Sequence, residues 1–177
     1  MASACFAAIV RTMGNRPQLL QEALESLTFQ QDRCSAVVVV HGDSTAHQNV
    51  QQVCRRVTGL EFVTLHAQDT GKKRGYPLNV GLDYCYDSAS PPDFLFFLDD
   101  DDIVYPFFTR VMAAAFLTSE ADLIYAASNR RELGRPPTVG HMPRPVFLLL
   151  HENFITINSF AVRTEALRRH RCYFDEH

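Results

Sequence analysis

Apolar and polar positions alternate along this chain in two rhythms. Residues 6–12 (FAAIVRT) form a short apolar run closed by polar residues, the pattern of a buried strand. Residues 13–17 (MGNRP) read as a loop, because Gly14 and Pro17 interrupt both rhythms. From Pro17 the period lengthens: Leu19, Leu20, Ala23, Leu24 and Leu27 recur at spacings of three and four, one face of a helix. Pro17 suits its first turn, with Asn15 or Arg16 in the cap region. Residues 36–44 (AVVVVHGDS) predict a second strand, whose four consecutive valines suit a parallel strand covered on both faces. A helix is expected from His47 to Val57, a strand over 60–65, a polar loop over 67–78, and a helix from Leu78 to about Ala89, stopped by Pro91 and Pro92. Residues 93–98 (DFLFFL) are a fourth, strongly apolar strand that runs straight into Asp99, Asp100, Asp101 and Asp102. Pro106 to about Ser119 reads as a helix and 122–127 as a fifth strand. Residues 129–150, rich in Arg and Pro, break the pattern and read as an irregular loop; 153–170 read as a short strand, then a helix from about Thr164.

This alternation predicts an α/β fold with a mostly parallel central sheet and helices on both faces. At 177 residues the chain is long enough for one domain with a substantial core, so 1–177 is read as a single domain. The formal net charge of −3 speaks against a partner bound through nucleic-acid phosphates. No apolar run approaches the ~18 residues that span a bilayer, and no basic residue precedes the apolar N-terminal stretch, as a signal peptide would need. The expected location is the cytoplasm, or the inner face of the membrane as a peripheral protein. The five cysteines are irregularly spaced with no CxxC pair, so they read as free thiols.

In an open α/β sheet, ligands bind at the carboxyl ends of the strands. Three polar clusters fall there: Thr12 to Arg16, His41 to Ser44, and Asp99 to Asp102. Adjacent carboxylates at the end of a buried strand repel one another and call for positive charge. Their hard oxygen donors suit Mg²⁺ or Mn²⁺ together with substrate phosphate. The competing reading is a solvated acidic turn that caps the helix near Pro106. In an extended segment Asp99 and Asp101 would share one side, and Asp100 and Asp102 the other. The basic loop 71–75 (GKKRG) taken alone reads as a solvated flexible loop; it could also hold a diphosphate, but it lacks the order of a Walker A loop. His41 reads as a structural imidazole, and Asp43 as an acceptor for a base or ribose group.

Taken together, TMGNRP, VVHGDS, KRGYPLNVGL, FLFFLDDDDIVYP, ENFITINSFAVRTEAL and FDE resemble the family 2 glycosyltransferases of the GT-A fold over nearly the whole chain. The segment LDDDDIVYP is similar to the block that holds that family's DxD motif. By position, the resemblance implies Asp101 as the main metal ligand, Asp99 and Asp100 at the ribose or the metal's water shell, and Asp102 in support. It implies Thr12 and its neighbours, Asn15 and Arg16, in the nucleotide pocket, Arg74 at the diphosphate, and Asn79 shaping the same loop. The implied donor is a UDP-, GDP- or dTDP-sugar, and the implied acceptor a carbohydrate or lipid-linked hydroxyl, with inversion at the sugar. Two departures stand out. The second strand of that family ends in acidic residues, whereas here His41 and Gly42 take those places. The family's general base follows the FDE-like segment, so it is expected beyond His177, with Asp175 and Glu176 the candidates inside the chain. The chain is therefore expected to be the donor-binding part of a longer enzyme. The alternative is a nucleotide-sugar-binding module without turnover. An aspartyl phosphatase fits poorly, since its acidic motif belongs at the first strand, and a nucleotidyltransferase would want a glycine-rich loop where TMGNRP stands.

Overall fold

The valines of 37–40 sit where a run of β-branched residues is best accommodated, in a strand flanked by two others and covered on both faces. In the computed structural model of the protein, the described residues are 4–68, 74–130, 136, 138–141, 144 and 155–175. Strand β1 (Cys5–Thr12) leads through helix α1 (Pro17–Thr28) to β2 (Arg33–Val40). Helix α2 (Ser44–Arg56) then leads to β3 (Glu61–His66), and α3 (Gly75–Asp87) to β4 (Phe94–Asp99). After α4 (Phe108–Leu117) come the short strands β5 (Leu123–Tyr125), β6 (Ser128–Arg130), β7 (Thr138–His141) and β8 (Phe160–Arg163), and helix α5 (Thr164–His170).

The six-stranded sheet has the order β3-β2-β1-β4-β8-β5. β3, β2, β1 and β4 are mutually parallel, while β8 runs antiparallel to both β4 and β5. The expected mostly parallel sheet is thus observed, with a reversed strand inserted between β4 and β5. The pleat sorts the strand residues to two faces. Phe6, Ala8, Val10, Val38, Phe96 and Leu98 pack under α1, α2 and α4. Ala7, Ile9, Val37, Val39, Leu95 and Phe97 pack under α3, through Leu78, Leu82, Cys85 and Tyr86. The chain steps outward from β1 to β3 and then returns across β1 to β4. With right-handed crossovers, that reversal carries α3 to the opposite face.

Local chemistry corrects several expected boundaries. The second helix begins at Ser44 rather than His47, because the Asp43 carboxylate accepts a hydrogen bond from the Ala46 amide (2.8 Å) and caps it. The third helix begins at Gly75, before the Pro77 that suits a first turn. The region 129–150, expected to be irregular, contributes β6 and β7, which pair as an antiparallel two-stranded sheet with an irregular register. Its expected segment 146–150 lies outside the described residues. Helix α5 starts at Thr164, as the pattern predicts.

Candidate donor site at the switch point

β1 is followed by a chain that moves to one side, through β2 and β3, while β4 lies on its other side. The carboxyl ends of β1 and β4 therefore flank the point where the strand order reverses, the place where open α/β sheets bind ligands. The polar residues at those two ends meet across it.

The parallel register sets Arg11 beside Asp99. The guanidinium of Arg11 donates from Nε to Asp99 Oδ1 (2.5 Å) and from Nη2 to Oδ2 (2.9 Å), a two-pronged pair, and from Nη1 to the Arg74 carbonyl (2.8 Å). One position on, Thr12 and Asp100 are both 1% exposed. The Thr12 hydroxyl donates to Asp100 Oδ2 (2.5 Å) and accepts from the Gly14 amide (2.9 Å). Gly14 adopts φ +73°, a conformation that glycine takes without strain, and this lets the loop fold back on Thr12. Arg16 reaches over from the start of α1. Its Nη2 pairs with Asp100, and its Nη1 with Asp101 Oδ2 (2.5 Å).

Beyond Asp99 the strand ends, and the Asp102 amide donates to the Asp99 carbonyl (3.1 Å). That turn changes the expected pairing of sides. Asp102 comes round to Asp99 and Asp101, with one oxygen from each within 4.8 Å of the others, while Asp100 points into the buried Thr12–Arg16 contact. Burial pushes the Asp102 carboxyl up to about 6, and the neighbouring Asp101 and Asp99 charges push the same way. The side chain of Asn158, ahead of β8, hydrogen-bonds Asp102 and opposes that rise. The reading of the run as a helix cap does not hold. Phe107 occupies the N-cap position of α4 without a side-chain cap bond, and the Thr109 amide is met instead by Gln30 Oε1 (3.1 Å).

The donor set fits a hard divalent cation. Three carboxylates converge, and oxygen-rich sites of one or a few carboxylates suit Mg²⁺ and Mn²⁺. The four aspartates faced by the two arginines retain two formal negative charges, the complement of one such ion.

The other sequence candidates distribute as follows. Asn15 is exposed in the loop before α1. Asp43 is exposed at the start of α2, which its Oδ1 caps through the Ala46 amide. Arg74 lies at the amino end of α3, its carbonyl held by Arg11. Asn79 is buried in α3 and clamps the backbone of Phe174 from both sides, accepting from its amide (2.8 Å) and donating to its carbonyl (2.9 Å). It thus fastens the segment 172–175. Lys72 and Lys73, and the base candidate Glu176, lie outside the described residues. Asp175 lines a cleft of about 540 Å³ with Arg11, Arg74, Leu78, Ile157 and Phe174. Two clefts of similar size, about 480 and 580 Å³, lie at the opposite end of the sheet around Phe94 and Arg163. There Arg163 is spent on the carbonyls of Phe116 and Ala121, and among the described residues the one group of three converging carboxylates lies at the switch point instead. Sequence reasoning missed Arg11 and Asn158. The only signal for Arg11 was a lone cation near the end of a buried strand.

No protein-family model matches the chain, and no curated protein sequence does. Solved structures do. Residues 1–349 of S. aureus TarS in complex with UDP superpose with a TM-score of 0.72 at 24% identity, over 97% of this chain and 50% of that one. The same protein with UDP-GlcNAc gives 0.69 at 21% identity, over 97% and 48%. The mannosyltransferase PcManGT from Pyrobaculum calidifontis, in complex with GDP-Man and Mn²⁺, gives 0.64 at 15% identity, over 96% and 48%. The chain spans about half the length of each of these. At such identities the likeness establishes the fold, which is of the GT-A glycosyltransferase type.

Proposed function

We propose that this GT-A domain binds a nucleotide-diphosphate sugar together with Mn²⁺ or Mg²⁺ and passes the sugar, with inversion, to a hydroxyl of a carbohydrate or lipid-linked acceptor. The observation that carries the reading is the convergence of Asp99, Asp101 and Asp102 at the switch point between β1 and β4. The ligands of the structural neighbours, UDP, UDP-GlcNAc, and GDP-Man with Mn²⁺, support a donor of this class.

In this reading Asp101, the most open of the three carboxylates, is the main metal ligand, with Asp99 and Asp102 beside it. A bound divalent cation would stabilise the charge that develops on the departing nucleoside diphosphate. Thr12 and Asp100 brace the floor of the site, and Arg16 and Arg74 supply positive charge for the diphosphate. A general base takes the proton of the acceptor hydroxyl as its oxygen bonds to the anomeric carbon and the bond to the diphosphate oxygen breaks. We place that base at or after Asp175. The support is the anchoring of 172–175 along α3, which sets Asp175 in the cleft beside Arg11 and Arg74. A donor-binding module without turnover is the second reading.

Calorimetry with UDP-GlcNAc and GDP-mannose, with and without Mn²⁺, tests the proposal. Binding should depend on the cation in the wild type, and Asp101→Ala should lose that dependence. Mn²⁺-linked affinity that survives Asp101→Ala would remove the assignment. Cation-dependent binding without release of sugar to any acceptor would select the module.

A further inference from the structure

The two arginines at the site are held differently. The Arg11 side chain is only 14% exposed, and its guanidinium makes three hydrogen bonds, two to one carboxylate and one to the Arg74 carbonyl. It is a fixed part of the β1–β4 seam. The Arg16 side chain is 44% exposed and divides its two amino groups between different carboxylates, buried Asp100 and open Asp101. It stands at the N-cap position of α1, where it makes no side-chain cap bond, so its reach toward the aspartates is not required for starting the helix. Asp101 is itself 43% exposed and also belongs to the three-carboxylate cluster. Arg16 and a cation bound at that cluster therefore draw on the same carboxylate.

We infer that Arg16 is the counter-ion of these carboxylates as long as no divalent cation is bound, and that it gives up Asp101 when one binds, leaving its guanidinium available to the donor's diphosphate. This rests on the donor-site reading above. The charge balance explains why such an exchange suits the site. Without a cation, the cluster without Arg16 would hold four carboxylates against one guanidinium. Such a site would repel itself and take up cations indiscriminately. With Arg16 in place, cation alone must compete against a short ion pair, whereas cation and diphosphate together satisfy both the carboxylates and the arginine. Cation and nucleotide then favour each other's binding through Arg16, and by linkage the effect is mutual.

Titration of Mn²⁺ alone into wild type, Arg16→Ala, Arg16→Gln and Arg33→Ala tests this by calorimetry. Arg33 pairs with Glu61 at the amino end of β2, across the sheet from the site, so its removal makes the same change in net charge elsewhere. Both Arg16 variants should bind Mn²⁺ roughly tenfold more tightly than wild type, as expected for removing one competing unit charge at a partly solvated site. Arg33→Ala should bind as wild type does. In the presence of UDP or GDP, the enhancement of Mn²⁺ affinity by nucleotide should shrink in the Arg16 variants. Equal Mn²⁺ affinity in wild type and Arg16 variants overturns the exchange while leaving the metal site standing. Tightening by Arg33→Ala to the same extent overturns it as well, because net charge alone would then account for the effect. Absence of Mn²⁺ binding in all four proteins removes the metal site, and the exchange with it.

Discussion

Asp99 and Asp102 lie in one turn yet face different surroundings. Asp99 has a guanidinium across both oxygens, whereas Asp102 is largely buried among other carboxylates, with its carboxyl pushed up to about 6. A carboxyl with a raised folded value binds its proton more tightly in the folded protein than in the unfolded chain. Its contribution to stability therefore grows as pH falls through about 6 and is complete below about 4. In protein kept free of metal by a chelator, wild type should gain on Asp102→Asn between pH 7.5 and pH 5, by about 1 kcal/mol once partial solvation is allowed for. Paired thermal or denaturant melts across that range measure the difference; a constant gap would mean that Asp102 titrates as an ordinary carboxyl. The acidic run itself was legible in the sequence, because charge clustered at the end of FLFFL has few other uses. The individual roles were not. Period-two reasoning separates Asp99 and Asp101 from Asp100 and Asp102, but the strand stops at Asp99 and the turn exchanges Asp102 for Asp100.

At the scale of elements, α3 is the part that ties distant segments to the site. Its amino end packs so closely on the tail that a Cβ on Gly75 would lie 2.3 Å from the Asp175 carbonyl oxygen. Its body holds the same tail through Asn79, through Tyr86 to the Cys172 carbonyl (2.6 Å), and through Asp83 to the Tyr173 hydroxyl (2.6 Å). Replacing Asn79 with Ala leaves the Phe174 amide and carbonyl partly buried without these partners, a loss of about 2 kcal/mol. Hydrogen exchange of the Phe174 amide should then quicken roughly 30-fold, with β1 and β2 amides little changed. Unaltered protection at Phe174 would show that the aromatic contacts of Phe174 with Phe97 suffice. The first four strands and their helices could be read from the sequence because each is a long apolar run separated by a strong helical period. β6 and β7 are three or four residues long, too short to show a period, whereas β8 falls in the short strand expected before α5. The reversal of β8 depends on partners far away in sequence, which local pattern does not encode.

For the molecule as a whole, the switch point joins the half of the sheet built from β1, β2 and β3 to the half built on β4, β8 and β5. A ligand seated there touches residues from both, so its binding energy opposes global unfolding. Mn²⁺ with UDP or GDP at about 100 times the dissociation constant should stabilise the protein by about 2.7 kcal/mol. The gain should appear as a rise in melting temperature that a chelator reverses and that Asp101→Ala lacks. A nucleotide-induced rise that is indifferent to chelator would place nucleotide binding outside the aspartate cluster. Among the described residues, no helix is long and apolar enough to cross a membrane.

The reversed strand has a consequence for biosynthesis. β4 finds one neighbour, β1, already made, but its other edge waits for β8, and Phe94 pairs with Arg163 only after everything between them has been translated. During that interval FLFFL, nearly all of it destined for the interior, presents an open row of peptide groups on a nascent chain. The aspartates that follow it emerge from the ribosome directly after the apolar run. Their mutual repulsion would discourage two nascent chains from pairing edge to edge before β8 arrives, so the same charges that suit the site to a cation would also guard its most sticky strand while it is being made.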